Sequence, residues 1–327
     1  MRTSFMSSAS GSRRALRTVM LGAALAGALA VTAACSSSNN SSSSTSPSAS
    51  AMSPSASASG LPTATKDATL AAKVPSSLTS AGAVRVCTDA SYAPNEFFAT
   101  DNKTIIGMDV DLGHAIGQVL GVPFNYTNLT FDSIIPALGT RCDLGISSFT
   151  DNLTRQKQVN FVDYFNAGTS FMQATAKPQK IAGLASLCGL TVSLENGTTE
   201  QTDAKTQDAA CKKAGKPAVT ILAFPDQNSA NLALTSGRAQ VGMADQPVAG
   251  YIAAQSNGQI QLTGQPYGVA PYGIAIPKSA AYNGFDAAIQ GALQNLEKSG
   301  LYTQILTKWG VQSGAATTFT INGGKTP

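Results

Sequence analysis

Four side-chain hydroxyls and one guanidinium lie within nine residues, 147–155, which read SSFTDNLTR. The segment follows a stretch of strand character, and Arg155 comes about one helical turn after Thr150. An arginine fork can bind a carboxylate through two parallel hydrogen bonds, and free backbone N–H groups at a helix start favour an anion. The spacing therefore predicts a site for a small carboxylate at a strand-to-helix turn. A capped helix with a solvated Arg155 is the alternative that these residues alone leave open.

The N-terminal residues 1–34 predict a secretory signal peptide. A segment with four arginines precedes an apolar run over 19–31, which is too short for a membrane anchor. The sequence VTAAC, which ends at Cys35, is similar to a bacterial lipobox, in which this cysteine is lipid-modified. Residues 35–80 are dominated by Ser, Ala and Pro and predict a lipid-anchored, disordered tether. We therefore expect export, either to the outer face of the cytoplasmic membrane or to the periplasm.

The charge balance argues against a nucleic-acid-binding protein. The chain has 22 Lys and Arg and 18 Asp and Glu, and four of the arginines lie in the predicted signal. The remaining chain carries 18 basic and 18 acidic residues and is formally neutral. No excess of positive charge remains to attract nucleic acid or anionic lipid.

Four cysteines follow the predicted lipidation site, and an even number in an exported protein predicts disulfides. Cys188 and Cys211 flank one strand–helix unit and are the expected pair. Cys87 and Cys142 lie on strands that should be neighbours, where they either pair or remain buried thiols. His114, the only histidine, lies on an amphipathic helix and is interpreted as a surface or packing residue. We expect neither a metal site nor a cofactor.

Strand and helix patterns alternate from residue 83 onward, which is typical of an α/β sheet. Strands are predicted at 83–89, 122–129, 141–148, 218–224 and 239–245, and residues 190–199 are predicted as a strand that enters a helix through a glycine turn. Helices are predicted at 108–120, 133–138, 281–298 and 301–309. Two further extended stretches, 169–176 and 272–277, stand apart from these units. We interpret them as crossings between two lobes.

Several motifs occur in the order in which one protein family has them. They are CTDASYAPNEF, GMDVDL, FDSIIPAL, DLGISSFTDNLTRQKQVNF, LENGTTEQ, MADQPVAGY and YTQILTKWG. On this ordered set, residues from about 83 to 310 resemble the family 3 solute-binding proteins, the amino-acid receptors of ATP-binding-cassette importers. The resemblance implies an α/β, type II periplasmic-binding-protein fold, in which two lobes joined by two hinge strands trap a ligand. Lobe 1 would comprise 81–175 and 271–327, and lobe 2 would comprise 176–270.

The resemblance also assigns ligand-binding roles by position. Arg155 matches the arginine that binds the ligand's α-carboxylate, and Asp245 matches the acid that receives its α-ammonium. The other matching positions are hydroxyl donors near the carboxylate, aromatic walls and a polar distal end: Ser148, Thr150, Thr198 and Thr199; Tyr92 and Phe131; Asp89 and Ser147. A buried zwitterion needs a cation and an anion at short separation, so the assignment is chemically coherent.

These matches imply a receptor that binds a polar amino acid by hinge closure and delivers it to a membrane permease. The receptor is expected to be a monomer. Glu195 and Asn95 depart from the family pattern. A Glu195 that faced the cleft beside Asp89 would favour a cationic side chain, although Asp89 also occurs in receptors for glutamine. An enzyme on the same fold, of the dehydratase or peptidoglycan-cleaving kind, is the alternative, and it would use Glu195.

Overall fold

The computed structural model describes residues 60–326, so the predicted signal peptide, the lipidation site Cys35 and the tether up to residue 59 lie outside the described residues. The strands of this part are β1 (Val84–Thr88), β2 (Ser91–Tyr92), β3 (Glu96–Phe98), β4 (Ile105–Ile106), β5 (Phe124–Asn128), β6 (Leu144–Gly145), β7 (Val159–Ala174), β8 (Thr191–Glu195), β9 (Thr220–Phe224), β10 (Val241–Asp245) and β11 (Ile260–Pro277). The helices are α1 (Ala68–Ala71), α2 (Ser76–Ala81), α3 (Met108–Leu120), α4 (Phe131–Ala137), α5 (Thr199–Lys213), α6 (Gln227–Thr235), α7 (Gln246–Gln255), α8 (Phe285–Lys298) and α9 (Leu301–Trp309). Within residues 60–326, no helix has the length and apolar character needed to cross a membrane.

Eight strands form one sheet in the order β5-β1-β6-β11-β7-β10-β8-β9. Strand β1 pairs in parallel with β5 and β6, and β8 pairs in parallel with β9 and β10. Strands β7 and β11 pair antiparallel in the middle of the sheet and join these two parallel groups. We call the half with β1, β5 and β6 lobe 1 and the half with β8, β9 and β10 lobe 2. Two parallel groups covered by helices confirm the predicted α/β class.

The two crossing strands are longer than the predicted stretches 169–176 and 272–277. Strand β7 has 16 residues and β11 has 18, and β7 is buried along almost its whole length. Residues 169–172 of β7 already pair with β10. The chain therefore enters lobe 2 before Thr169, earlier than the predicted boundary after residue 175. A strand that is buried on both faces lacks the alternation of apolar and polar residues by which its first residue could be recognised in the sequence.

The C-terminal helices return to lobe 1, as the resemblance implies. Helix α8 buries residues at helical spacing, from Phe285 through Ile289 and Ala292 to Leu296, and packs against α3 and α9. They join a core that also contains residues of β1 and β5. A separate core in lobe 2 is built on Val192 and Leu194 of β8 together with residues of β10.

The predicted tether ends too late. Helices α1 and α2 lie inside the range 35–80 or at its edge, and Leu70, Val74 and Leu78 are buried in the lobe 1 core. The Asn295 amide of α8 donates to Asp67, which caps α1. The prediction of disorder is thus wrong for this last part, because apolar residues spaced four apart supply a buried face within an Ala- and Ser-rich composition.

Both pairs of cysteines after the predicted lipidation site form disulfides. The expected Cys188–Cys211 bridge is confirmed, with Cα atoms 5.6 Å apart. Cys87 of β1 is bonded to Cys142, which precedes the neighbouring strand β6, and this resolves the pairing that the sequence left open.

Candidate functional site

All ten sequence-predicted site residues line one cavity between the lobes. The residues around this cavity are Asp89, Tyr92, Glu96, Phe131, Ser147, Ser148, Thr150, Arg155, Glu195, Thr198, Thr199, Glu200 and Asp245. A larger, more open cavity of about 750 Å³ adjoins it and shares Phe131, Thr150, Arg155, Thr198, Thr199 and Asp245. The arginine and the acid that the resemblance assigns to the ligand's charged groups therefore face a common space.

Arg155 is a buried cation at the junction of the two cavities. Its side chain is 9% exposed and stacks against two aromatic rings, with the guanidinium 5.2 Å from the Phe131 centroid and 5.6 Å from the Phe149 centroid. Nη1 donates to the Thr150 carbonyl at 2.9 Å, and Nη2 donates to the Gly197 carbonyl of lobe 2 at 3.1 Å. Burial lowers the pKa of Arg155 to about 10, so the group stays charged at neutral pH. Its flat fork is fixed in direction and suits a planar carboxylate.

The turn that carries Arg155 differs from the predicted helix start. Strand β6 has two residues rather than eight, and the segment after it ends in a single 3₁₀ turn, Arg155–Lys157. The Asn152 side chain accepts the Arg155 N–H at 2.8 Å. Strand β7 begins at Val159, so no room remains for an α-helix. The helix start at the cavity is that of α5 in lobe 2, where Thr198 and Thr199 lie. Its N-terminal N–H groups favour an anion.

Asp245 ends β10 in lobe 2 and is linked to Tyr92 of lobe 1. The Tyr92 hydroxyl donates to Asp245 Oδ2 at 3.2 Å and accepts the Asp245 N–H at 2.9 Å. Burial, and then the nearby charge of Glu200, raises the pKa of Asp245 well above its usual value. A carboxyl in this setting gains strongly from a cation, because a positive charge relieves both the desolvation and the repulsion.

Glu195, at the end of β8, faces the cavity with a buried carboxyl. It is 2% exposed, and its Oε1 has no hydrogen-bond partner among residues 60–326. Burial and the charge of Asp89 raise the pKa of Glu195 well above its usual value. Asp89 itself accepts the Phe131 N–H at 2.9 Å, and its pKa is also raised by burial. The two acids come from opposite lobes and form one anionic end of the cavity.

The hydroxyls of Ser147, Ser148 and Thr198 form hydrogen bonds with other groups of the protein. Ser147 Oγ accepts the Asp89 N–H at 2.9 Å and donates to Glu96 at 3.2 Å. Ser148 Oγ also donates to Glu96, at 3.2 Å, and accepts the amide of Asn95. Asn95 is fully buried and lies outside the cavity lining, so it supports Ser148 and forms no part of the wall.

Thr198 and Thr199 form the first turn of α5 beside the cavity. Thr198 Oγ1 donates to the Glu195 carbonyl at 2.8 Å and accepts the Gln201 N–H at 3.2 Å, so it caps the helix. Thr199 Oγ1 donates to Glu200 at 3.2 Å, and Glu200 also accepts Thr169 Oγ1 at 2.7 Å. These bonds orient the lobe 2 wall.

Three lining residues were missed by sequence reasoning. Phe149 stacks on Phe131 with centroids 4.6 Å apart, and it completes the aromatic surface under the Arg155 guanidinium. Glu96 and Glu200 add two buried acids. Glu200 follows the Thr-Thr pair directly, where an acid in a first helical turn is common and gives no signal of a site. Phe149 lies between Ser148 and Thr150, and a single aromatic residue at such a position gives no signal of a site.

The cavity wall is strongly acidic. Five carboxyl groups line it, and Arg155 is the one basic residue of that lining in the described part of the chain. Residues 60–326 include no group of His, Cys, Asp or Glu arranged to hold a metal ion. The wall therefore suits a guest that carries positive charge in excess over negative.

The two lobes contact each other around the cavity. Besides the Tyr92–Asp245 and Arg155–Gly197 contacts, the Asn196 amide of lobe 2 donates to Asp132 of lobe 1 at 2.5 Å. On another side, the Gln227 N–H of α6 donates to Ser91 Oγ at 3.0 Å. The structure is thus a closed arrangement of the lobes, in which groups from both lobes surround one space.

Comparison with known proteins finds similarity to amino-acid-binding proteins of bacteria. Residues 84–312 match the family profile of "Bacterial extracellular solute-binding proteins, family 3". The arginine-binding protein ArgT of Corynebacterium glutamicum is 35% identical over 246 residues, which cover 74% of this chain and 79% of ArgT. The glutamine-binding protein GlnH of Bacillus subtilis is 30% identical over 63% of this chain and 72% of GlnH.

Solved structures with similar folds agree with these matches. An ancestral arginine-binding protein bound to arginine has a TM-score of 0.63 at 32% identity and covers 70% of this chain and 98% of its own. An ancestral amino acid-binding protein, AncCDT-1, described as a precursor of cyclohexadienyl dehydratase, has a TM-score of 0.64 at 28% identity, covering 72% of this chain and 98% of its own.

Proposed function

The chain belongs to the family 3 bacterial extracellular solute-binding proteins, and we propose that it is the receptor for a cationic amino acid of the arginine, lysine or ornithine class. It binds the amino acid between its lobes and delivers it to the permease of an ATP-binding-cassette importer. It works as a monomer outside the cytoplasmic membrane, where a lipid on Cys35 holds it. The ligand class is supported by relatives that are named for binding arginine and for binding lysine, arginine and ornithine.

The observation that carries this proposal is the anionic end of the cavity. Glu195 Oε1 is buried without a partner, and Asp89 faces it from the other lobe. Burial and the neighbouring Asp89 disfavour the ionised form of Glu195, whereas a hydrogen-bonded cation placed beside the two acids favours it. A guanidinium or ammonium at the far end of a ligand side chain supplies that partner.

The opposite end of the cavity suits the backbone of an amino acid. Arg155 presents a fork to the α-carboxylate, and the start of α5 adds N–H groups that favour the same charge. Asp245 receives the α-ammonium. Phe131, which stacks on Phe149, gives the apolar part of the side chain a flat surface at small entropic cost.

Hinge closure follows from the division of these groups between the lobes. Arg155 and Asp89 belong to lobe 1, whereas Asp245, Glu195 and the start of α5 belong to lobe 2. Only a ligand that touches both sets gains more from the closed arrangement than from an open one. Its differential affinity for the closed form is what shifts the equilibrium.

Two alternatives receive less support. A neutral ligand such as glutamine, which the GlnH relative is named for, leaves Glu195 Oε1 without a charged partner. A dehydratase on this fold is represented among the similar structures by a precursor that is itself described as an amino acid-binding protein. In the proposed receptor, Glu195 binds the ligand's cationic group and takes no part in proton transfer.

A thermal-shift screen of the twenty amino acids, ornithine and citrulline tests the proposal, with calorimetry on the hits. At a hundred times its Kd, a ligand of the native state adds about 2.7 kcal/mol to the free energy of unfolding. We expect arginine, lysine or ornithine to give the largest shift and citrulline, the neutral analogue of arginine, to give little. A screen in which glutamine or citrulline leads would refute the cationic assignment. Turnover of prephenate would instead establish the enzyme.

A further inference from the structure

The segment after α9 runs along a free edge of strand β7. Isolated bridges join Phe165 to Ala315 and Val162 to Ile321. The Asn322 side chain accepts the Phe161 N–H at 2.8 Å, and the Asn322 N–H donates to the Phe161 carbonyl at 3.0 Å. Residues 315–322 thus complete the part of β7 that no sheet strand covers, and they lead the chain toward the Arg155 turn.

Residues 320–326, which we call the C-terminal clasp, bind that turn on both sides of Arg155. The Gly324 N–H donates to Asp151 Oδ2 at 2.8 Å, and the Gln156 amide donates to the Gly324 carbonyl at 2.9 Å. The Leu153 N–H donates to the Thr326 carbonyl at 2.8 Å. Residues before and after the arginine are therefore tied to the same short segment.

The base of the clasp is fixed to β7 through one carboxyl group. Asp163 accepts the Gly323 N–H at 3.1 Å and the Thr320 hydroxyl. Thr326, at the other end of the clasp, lines the 750 Å³ cavity beside Arg155. The clasp thus reaches from the hinge strand to the edge of the binding cavity.

The Arg155 turn needs such external support. It contains no α-helix. The Gln156 N–H donates to the Asn152 carbonyl at 2.9 Å and the Gln158 N–H donates to the Arg155 carbonyl at 2.9 Å, but these bonds do not continue into a helical ladder. Its backbone is held by the Asn152 side chain, by the Pro271 carbonyl, which accepts the Asp151 N–H at 2.8 Å, and by the clasp. An error of about 1 Å in the position of a binding group is costly, because a fork must meet both carboxylate oxygens.

We propose that the C-terminal clasp is a positioning element of the binding site, which fixes the turn that aims the Arg155 guanidinium at the ligand's carboxylate. The clasp touches the turn and not the guanidinium. This proposal rests on the proposed function in one respect, namely that Arg155 binds a carboxylate of the ligand.

Gly324 offers a sharp test of this role. A Cβ at Gly324 would lie 2.0 Å from the Asp151 carbonyl oxygen and 2.5 Å from its carbonyl carbon. Both are backbone atoms, so Gly324→Ala must push the clasp away from the turn. Gly183→Ala is the matched control, because a Cβ at Gly183 has no atom within 4 Å.

Hydrogen–deuterium exchange on the unliganded protein gives the first measurement. Gly324→Ala is expected to speed exchange of the amides in 151–158 at least tenfold, whereas exchange in α3 and α8 stays unchanged. Gly183→Ala should leave both regions as in the unmodified protein. Unchanged exchange in 151–158, or faster exchange throughout lobe 1, would overturn the proposal. No ligand is involved, so this result stands even where the proposed ligand class is wrong.

A double-mutant cycle with L-arginine gives the second measurement. Gly324→Ala is expected to weaken binding about tenfold, and Arg155→Lys to weaken it by more. Because the clasp acts through the Arg155 fork, Gly324→Ala should change the affinity less than twofold in the Arg155→Lys background. If the loss of affinity in the double variant equals the product of the losses in the two single variants, the clasp does not act through Arg155, and the proposal is overturned.

Discussion

Glu195→Gln separates recognition of the ligand's positive charge from every other contribution to binding. The substitution keeps the size of the side chain and one carbonyl oxygen, and it removes only the carboxylate. Since Glu195 Oε1 has no hydrogen-bond partner and burial raises the pKa of the group, the unliganded protein should not lose stability. Its Tm is expected to stay within a few degrees of that of the unmodified protein.

The expected loss of affinity follows from the burial of the pair. Removing one member of a buried, hydrogen-bonded charge pair costs about 2–5 kcal/mol, and glutamine retains a neutral acceptor, which places the loss near the lower end. A loss of about 2–3 kcal/mol corresponds to arginine binding that is about 30- to 150-fold weaker.

Calorimetric titration with arginine and with glutamine is the assay. Arginine affinity should fall by this factor in Glu195→Gln, whereas the weaker glutamine affinity should change less than twofold. Glu297→Gln is the control, since it changes the net charge equally at an exposed position on α8 and should leave arginine binding unchanged. The reasoning is refuted when Glu195→Gln leaves the arginine Kd unchanged, or when arginine and glutamine lose affinity equally.

Three further outcomes are expected. Arg155→Lys should weaken arginine and lysine binding alike, by about 10- to 100-fold, because an ammonium cannot replace the two-pronged contact with the α-carboxylate; calorimetry that finds full affinity contradicts this role. Burial raises the pKa of Asp163 to about 7, so the native state holds a proton that the unfolded state releases, and stability falls as pH rises from about 4 to 7. In urea unfolding at a series of pH values, Asp163→Asn should reduce this slope, and an unchanged slope would contradict the assignment. Replacing Cys188 and Cys211 by serine should lower the free energy of unfolding by about 3 kcal/mol, and a loss below about 1 kcal/mol would show that this bridge constrains the unfolded chain little.

Helices and strands whose apolar residues recur at a regular spacing were predictable from the sequence. Helix α3 has the predicted bounds, and β1, β5, β8, β9 and β10 lie within the predicted strands. The cavity lining was also predictable, because the family resemblance assigned its residues by position, and the structure brings all ten of them to one cavity. The charged residues of the wall were partly predictable, since Asp89 ends a predicted strand and Glu195 departs from the family pattern.

Other features depend on tertiary contacts that no local pattern reveals. The Arg155 turn has helix-like spacing but is drawn into a 3₁₀ turn by Asn152 and by the early start of β7. The final residues are rich in Gly and Thr, which is typical of a loose tail, yet they bind Asp151 and Asp163. Their order comes from partners more than 150 positions away in the sequence.

A crystal structure of the complex with L-arginine tests the central claim most directly. We expect the α-carboxylate on the Arg155 fork, the α-ammonium within hydrogen-bond distance of Asp245, and the ligand's guanidinium between Glu195 and Asp89. A ligand bound in the reverse direction, or bound outside the space between these four side chains, would contradict the claim that charges from both lobes close around one cationic amino acid.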